Sequence, residues 1–317
     1  MRMRFAVVPG FVILLGAASG PAMASQAPAA GARALVGTWR LVSVERAEGN
    51  QPLASVPNPI GILIQDARGN VIEIVSRAGR AASIDVVEQF MTYQAFWGTY
   101  SSDAGRSTIT YRINGDLDPG RTGQQMMRSY ERKGDQLVLT QSSSPIAPAS
   151  RTTWARVAEL EALPDYQREA VGFWQWASAG LVDASGAMVR PASRDESVIV
   201  YTPTGLMAVL YLPPPGRKPF AGARPTVEEA RAAIQGAPTY FGPYIVQPTS
   251  GSVTHYQIAI PNPGATGNSL QRNFEVRGSE LILTFPPTTL NGQPVRNVIH
   301  LKRLGGLADM WPEFRRE

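Results

Sequence analysis

The sequence predicts an all-β protein made of two tandem copies of one antiparallel domain. Three observations carry this. Gly37-Thr38-Trp39-Arg40-Leu41 returns as Gly172-Phe173-Trp174-Gln175-Trp176, 135 residues later. Arg128-Ser129-Tyr130-Glu131 with Gly134–Thr140 returns as Arg272-Asn273-Phe274-Glu275 with Gly278–Thr284, 144 residues later. Between these markers, short β-branched runs alternate with Gly and Pro turns, the pattern of an antiparallel sheet. A period of this length is a whole domain, not a solenoid unit.

In chain order, Arg2 and Arg4 precede an apolar run, Phe5 to Ala18, and Ala22-Met23-Ala24 ends it with small residues. This predicts a signal peptide over 1–24, cleaved near Ala24-Ser25, and a periplasmic or secreted protein. The run is too short and too interrupted to span a bilayer, so no integral membrane association is expected. Removing it takes the net charge from +5 to +3. Lys and Arg are scattered among acids, which predicts no nucleic-acid partner. There is no cysteine, hence no disulfide and no thiolate chemistry.

Residues 25–34 are rich in Ala and Gly and read as loose. The first domain is expected over 35–157. Ile60–Ile64, a turn at Asp66-Ala67-Arg68-Gly69 and Val71–Val75 form a hairpin; in the second domain, 172–304, Ser197–Tyr201, Thr202-Pro203-Thr204-Gly205 and Leu206–Tyr211 repeat it. Gly79-Arg80 and Gly216-Arg217 follow. Apolar spacing then predicts helices over Asp85–Ala95 and Thr226–Gln235, the second opened by the capping box Thr226-Val227-Glu228-Glu229. Each leads into an aromatic-Gly-x-Tyr strand, at Gly98 and Gly242. Residues 158–171 read as a short helical linker and 305–317 as a tail, in which Trp311 is placed either against a barrel or in a frayed end.

Leu35–Ser43 with its Gly-x-Trp opening, the hairpin glycine, the Gly-Arg pair, the helix before Gly-x-Tyr and the Arg-x-aromatic strand resemble the bacterial and fungal lipocalin-like domain family. The resemblance covers nearly all of the mature chain, twice. It implies two calycin-type antiparallel β-barrels, each with a short helix near its mouth. It also implies structural closure of each barrel by an indole under a last-strand arginine, Trp39 with Arg156 and Trp174 with Arg303.

Common catalytic spellings are missing: no Gly-x-Ser-x-Gly, no His-Glu-x-x-His, no phosphate loop and no dinucleotide fingerprint. With two histidines and few clustered acids, no metal and no cofactor are expected. The candidate ligand wall is aromatic with hydroxyl tips: Tyr100, Tyr111 and Tyr130 in the first barrel, Tyr201, Tyr244, Tyr256 and Phe274 in the second. Arg128 and Arg272 share strand parity with Tyr130 and Phe274 and are expected to point inward. Glu73 is the internal partner expected for Arg128. Its counterpart is Val209, so Arg272 lacks that acid and the second barrel is the expected anion acceptor.

Aligning Tyr111 with Tyr256 turns Tyr256 and Ile258 inward and His255 outward. His255, Tyr256 and Arg272 are nonetheless the candidate catalytic groups. His300 is expected to face outward. The leading function is binding of a small hydrophobic or aromatic molecule, with an acidic group as an option. The alternatives are a cofactor-independent isomerase, cyclase or lyase on a polyketide- or terpenoid-like substrate, and an assembly protein with filled barrels.

Overall fold

The computed structural model describes residues 34–47, 51–192, 196–214, 216–235 and 238–310. The expected signal peptide, the loose segment before residue 34 and Trp311 lie outside the described residues.

The first copy comprises β1 (Gly37–Arg46), β2 (Ala54–Ser55), β3 (Pro59–Gln65), β4 (Asn70–Arg77), α1 (Val86–Met91), β5 (Gln94–Asp103), β6 (Thr108–Asp116), β7 (Gln125–Lys133), β8 (Gln136–Gln141) and β9 (Ser150–Arg156). Its sheet runs β1-β3-β4-β5-β6-β7-β8-β9 and closes through β1 on β9, with β2 paired to the far end of β1. A linker helix, α2 (Asp165–Ala170), leads to the second copy. There β10 (Gly172–Val182), β11 (Met188–Ala192), β12 (Val198–Tyr201) and β13 (Leu206–Leu210) precede α3 (Val227–Ile234). Then follow β14 (Tyr240–Gln247), β15 (Ser252–Tyr256), β16 (Ser269–Arg277), β17 (Glu280–Thr284), β18 (Thr288–Leu290), β19 (Gln293–Gly306) and α4 (Leu307–Met310). This sheet closes through β10 on β19. Two closed eight-stranded antiparallel barrels result, each flanked by a short helix.

Local sequence accounts for most element ends. Gly69 and Gly205 sit in the left-handed region, at φ 86° and 75°, where the β3–β4 and β12–β13 turns need them. Gly98 and Gly242 leave no room for a Cβ, because the carbonyls of Arg112 and Tyr256 occupy that space. The Thr226–Glu229 capping box forms on both sides and starts α3. Helix α1 is shorter than its apolar spacing suggests: Gln94 and Ala95 already pair with β4, so sheet hydrogen bonds win over helix continuation. The linker is helical only over its second half, after Pro164. Past residue 304, β19 continues to Gly306, and α4 returns to the first barrel, where Asp309 pairs with Arg68 at 2.9 Å.

Three apolar cores form. One fills the first barrel around Trp39, Phe96, Tyr111 and Trp154. One fills the second around Trp174, Tyr201, Tyr240 and Leu283. The third lies between the barrels and joins Ile62, Ile64, Ile72, Ile74 and Trp97 of one to Phe173, Val198, Val200, Leu210 and Phe241 of the other. It explains why β3, β12 and β13 read as apolar runs, and β4 as one interrupted by Glu73: these strands are buried on both faces. Around this core α1 packs on α3, the Tyr93 hydroxyl donates to the Thr239 carbonyl at 3.0 Å, and Trp97 Nε1 donates to the Glu196 carbonyl.

Candidate functional site

At one end of each barrel the indole lies beneath arginine. Trp39 pairs with Arg156 across β1 and β9, and the Arg156 Cζ stands 5.7 Å from the indole centroid, with Arg132 at 5.5 Å. Trp174 pairs with Arg303, whose Cζ stands 4.0 Å away. Each indole N–H is spent on the backbone, Trp39 on Leu35 and Trp174 on Ala170. Arg156 and Arg303 also donate to the Val36 and Val171 carbonyls, both at 3.0 Å.

Inside the first barrel Arg128 meets Glu73 in a bidentate pair, Nη1 to Oε2 at 2.5 Å and Nη2 to Oε1 at 3.0 Å. Its Nε donates to Gln141. Burial alone would lower the Arg128 pKa; the charge and hydrogen bonds of Glu73 outweigh it, and the net shift is upward. The guanidinium also lies 5.3 Å from the Tyr111 ring centroid. Tyr100 spends its hydroxyl on the Asp66 carbonyl, and Tyr244, its counterpart, on Thr202. Both thus anchor the hairpin turns. Tyr130 packs at the margin of the first core.

The mouth of the first barrel opens into a cavity of about 650 Å³. Val56, Phe90, Met91, Leu117, Ile146 and Phe220 supply its apolar wall; its charged lining mixes Arg46, Arg77, Arg121, Arg128 and Arg224 with Glu88, Asp116 and Asp118. Phe220 comes from the second copy and meets Phe90 edge-on at 5.2 Å. Arg46 donates to Gln94 at 2.9 Å, but its buried Nε has no acceptor. Burial, then the charges of Arg77 and Arg121, push the Arg46 pKa down. Arg121 stands 3.4 Å from Asp116, whose carboxyl burial pushes up to about 7 against the pull of Arg121 and Arg217.

In the second barrel the expected orientation of β15 is reversed. His255 is fully buried and Tyr256 is 39% exposed, as is Ile258. Strand pairing gives the reason: Tyr100 faces Tyr111 and Tyr244 faces His255, so the 144-residue offset persists and His255 is the counterpart of Tyr111. Matching tyrosine to tyrosine shifts the register by one residue, and in a strand that inverts every side chain. Tyr256 therefore does not line the interior. His255 Nε2 is 2.8 Å from the Tyr201 hydroxyl, and Nδ1 is 2.8 Å from the Tyr240 hydroxyl. Arg272, 5% exposed, lies 4.5 Å from the Phe285 ring centroid; Phe274 meets Tyr201 edge-on at 6.1 Å. Arg272 has no ion pair among the described residues, and its Nε is buried without an acceptor. His300 sits outside, 2.8 Å from Glu280.

Of the predicted ligand residues, only Arg128 borders the first-barrel cavity. Arg46, Arg121 and Phe220 are additions. Arg121 had a readable signal, since Asp118-Pro119-Gly120-Arg121 becomes Asn262-Pro263-Gly264-Ala265 in the second copy. Phe220 had none, because it acts across the barrel–barrel contact. Among the described residues no cluster of three or more metal-ligating side chains occurs. No described helix is long and apolar enough to cross a membrane.

The lipocalin-like domain model matches residues 36–160 and again 171–304. The chain belongs to the lipocalin-like domain family. No curated protein matches this lipocalin-like chain. Among solved structures it is similar to a protein of unknown function from Nostoc punctiforme, at 10% identity and TM-score 0.22, covering 86% of this chain and 97% of that one. It is also similar to a putative outer membrane protein from Bacteroides fragilis, at 9% identity and TM-score 0.22, covering 86% and 99%. A third is the transferrin-binding protein B of Haemophilus parasuis, at 8% identity and TM-score 0.21, covering 84% and 76%.

Proposed function

We propose that this lipocalin-like protein binds a small, largely apolar molecule with an acidic group in the mouth of its first barrel. The cavity of about 650 Å³ beside Arg46, Arg121 and Arg128 carries the reading. It falls in the range of ligand pockets, roughly 300–1,000 Å³. Apolar ligand surface buried against Phe90, Met91, Ile146 and Phe220 contributes about 25 cal/mol per Å². Arg46, which holds a buried donor without an acceptor, orients the acidic end, while Arg128 and Arg121 are already engaged by Glu73 and Asp116. Binding takes place in the periplasm or outside the cell, and the native protein starts near Ser25.

The test is displacement of a fluorescent apolar probe, combined with native mass spectrometry of protein purified from its own host. Ala147→Trp fills the cavity from its rim and is expected to abolish probe binding without altering the fold. Probe binding that survives this substitution would remove the first-barrel mouth as the site.

A second reading, isomerisation or cyclisation without a cofactor, is favoured by the hydrogen-bonded Tyr201–His255–Tyr240 chain in the second core. A bound molecule recovered unchanged supports the carrier; a product appearing on incubation supports the enzyme. An assembly role has less support, given the cavity at the first-barrel mouth.

A further inference from the structure

We propose that the second barrel carries a separate site for the carboxylate of an acidic small molecule, built by Arg272 and the Tyr201–His255–Tyr240 chain. The argument starts from what changes between copies. In the first barrel Glu73, Phe96 and Tyr111 stand around Arg128, and the carboxylate neutralises the guanidinium. At the same places the second barrel has Val209, Tyr240 and His255 around Arg272, as the pairings Glu73–Phe96 and Val209–Tyr240 show. The internal acid is gone, Phe96 has become the hydrogen-bonding Tyr240, and Tyr111 has become His255. A buried guanidinium without a counter-ion is costly, and a ligand anion removes that cost.

Proton counting points the same way. A neutral imidazole has one N–H and one bare nitrogen, and each tyrosine brings one O–H. Two hydrogen bonds link the three side chains, so they use two of the three protons. Whichever tautomer is present, one phenol O–H is left to donate elsewhere. Arg272 cannot accept it, and Arg272 Nε is itself a buried donor without an acceptor. Burial, reinforced by the charge of Arg272, keeps the imidazole neutral. The site therefore offers a spare phenol O–H, the unmatched Arg272 Nε and one uncompensated positive charge. A carboxylate, which accepts and does not donate, meets both needs. Arg272 holds in the second barrel the strand position that Arg128 holds beneath the first-barrel mouth.

The chain has two histidines, so side-chain nitrogen NMR of histidine-labelled protein reads the site directly, with His300 as an internal reference. The probe is benzoate, with benzyl alcohol as its neutral control, each at about 10 mM, tenfold above a millimolar Kd. Benzoate is expected to shift the His255 signals saturably and benzyl alcohol to leave them in place. Arg272→Met is expected to weaken the benzoate response by at least about tenfold, the loss of a charged hydrogen-bond partner. Val209→Glu restores the acid of the first barrel and is expected to abolish the response. Displacement of the apolar probe from the first barrel should be unchanged in both variants, which separates this site from that cavity. Unmoved His255 signals in the wild type, or an undiminished benzoate response in Arg272→Met, would overturn the proposal even if both variants of Arg272 and Val209 folded poorly.

Discussion

Arg80 and Arg217 clasp the two barrels reciprocally. Arg80 of the first copy donates to the Ile260 and Pro261 carbonyls of the second, and Arg217 of the second donates to the Asp116 and Leu117 carbonyls of the first. Each acceptor lies 144 residues from its counterpart, so the two Gly-Arg pairs, unexplained as sequence features, are one device used twice. Arg80→Met and Arg217→Met are each expected to cost about 1–3 kcal/mol, the loss of charged hydrogen bonds to buried carbonyls. Chemical denaturation should show one cooperative transition for the parent protein and a broadened or split one for the double variant.

Glu73 and Arg128 are both buried, so breaking the pair leaves a charge without a partner. Glu73→Gln is expected to destabilise by about 3–5 kcal/mol. Removing both charges in Glu73→Gln/Arg128→Met should cost less than the single change. A double variant less stable than Glu73→Gln would show that the pair does not act as a unit.

The repeat made the architecture legible in the residues themselves. Gly-x-Trp, the hairpin glycines and the capping box each sit where the structure uses them. The Arg128–Glu73 pair and the lone Arg272 were legible too, because comparing the copies shows which acid one of them lacks. What could not be read was anything set by a single residue of register, as His255 shows, or by the contact between copies. Ile62, Val198 and Phe220 are apolar in the sequence, but nothing local says that they face the other barrel. The first-barrel cavity was missed for that reason: part of its wall comes from the second copy.

Arg303 is half-buried over Trp174 and spends its remaining donors on backbone carbonyls. Arg303→Met is expected to lower stability by about 1–3 kcal/mol through the lost stacking and hydrogen bonds. Probe binding in the first barrel should be unaffected. A change in binding with no change in melting temperature would assign this end a ligand role instead.

Burial raises the Asp116 carboxyl from 3.8 to about 7 and the Asp66 carboxyl from 3.8 to about 6. The folded state therefore holds protons that the unfolded chain releases from about pH 4 upward. The contribution of these groups to stability falls as pH rises from about 4 to about 7, and is flat beyond. For Asp116 the upper bound is about 4 kcal/mol, at about 1.4 kcal/mol per unit. Asp116→Asn is expected to flatten the dependence: the drop in melting temperature between pH 5 and pH 8 should shrink. An unchanged drop would place the effect elsewhere.

The core shared by Ile62, Ile74, Trp97, Phe173, Val200 and Phe241 has a genetic consequence. A gene cut at the linker would yield two half-proteins, each presenting a broad oily flank to water. The seam holds each copy to the other, while the interiors, with Glu73 in one and Val209 in the other, lie outside it. Fused partners of this kind can specialise but not separate.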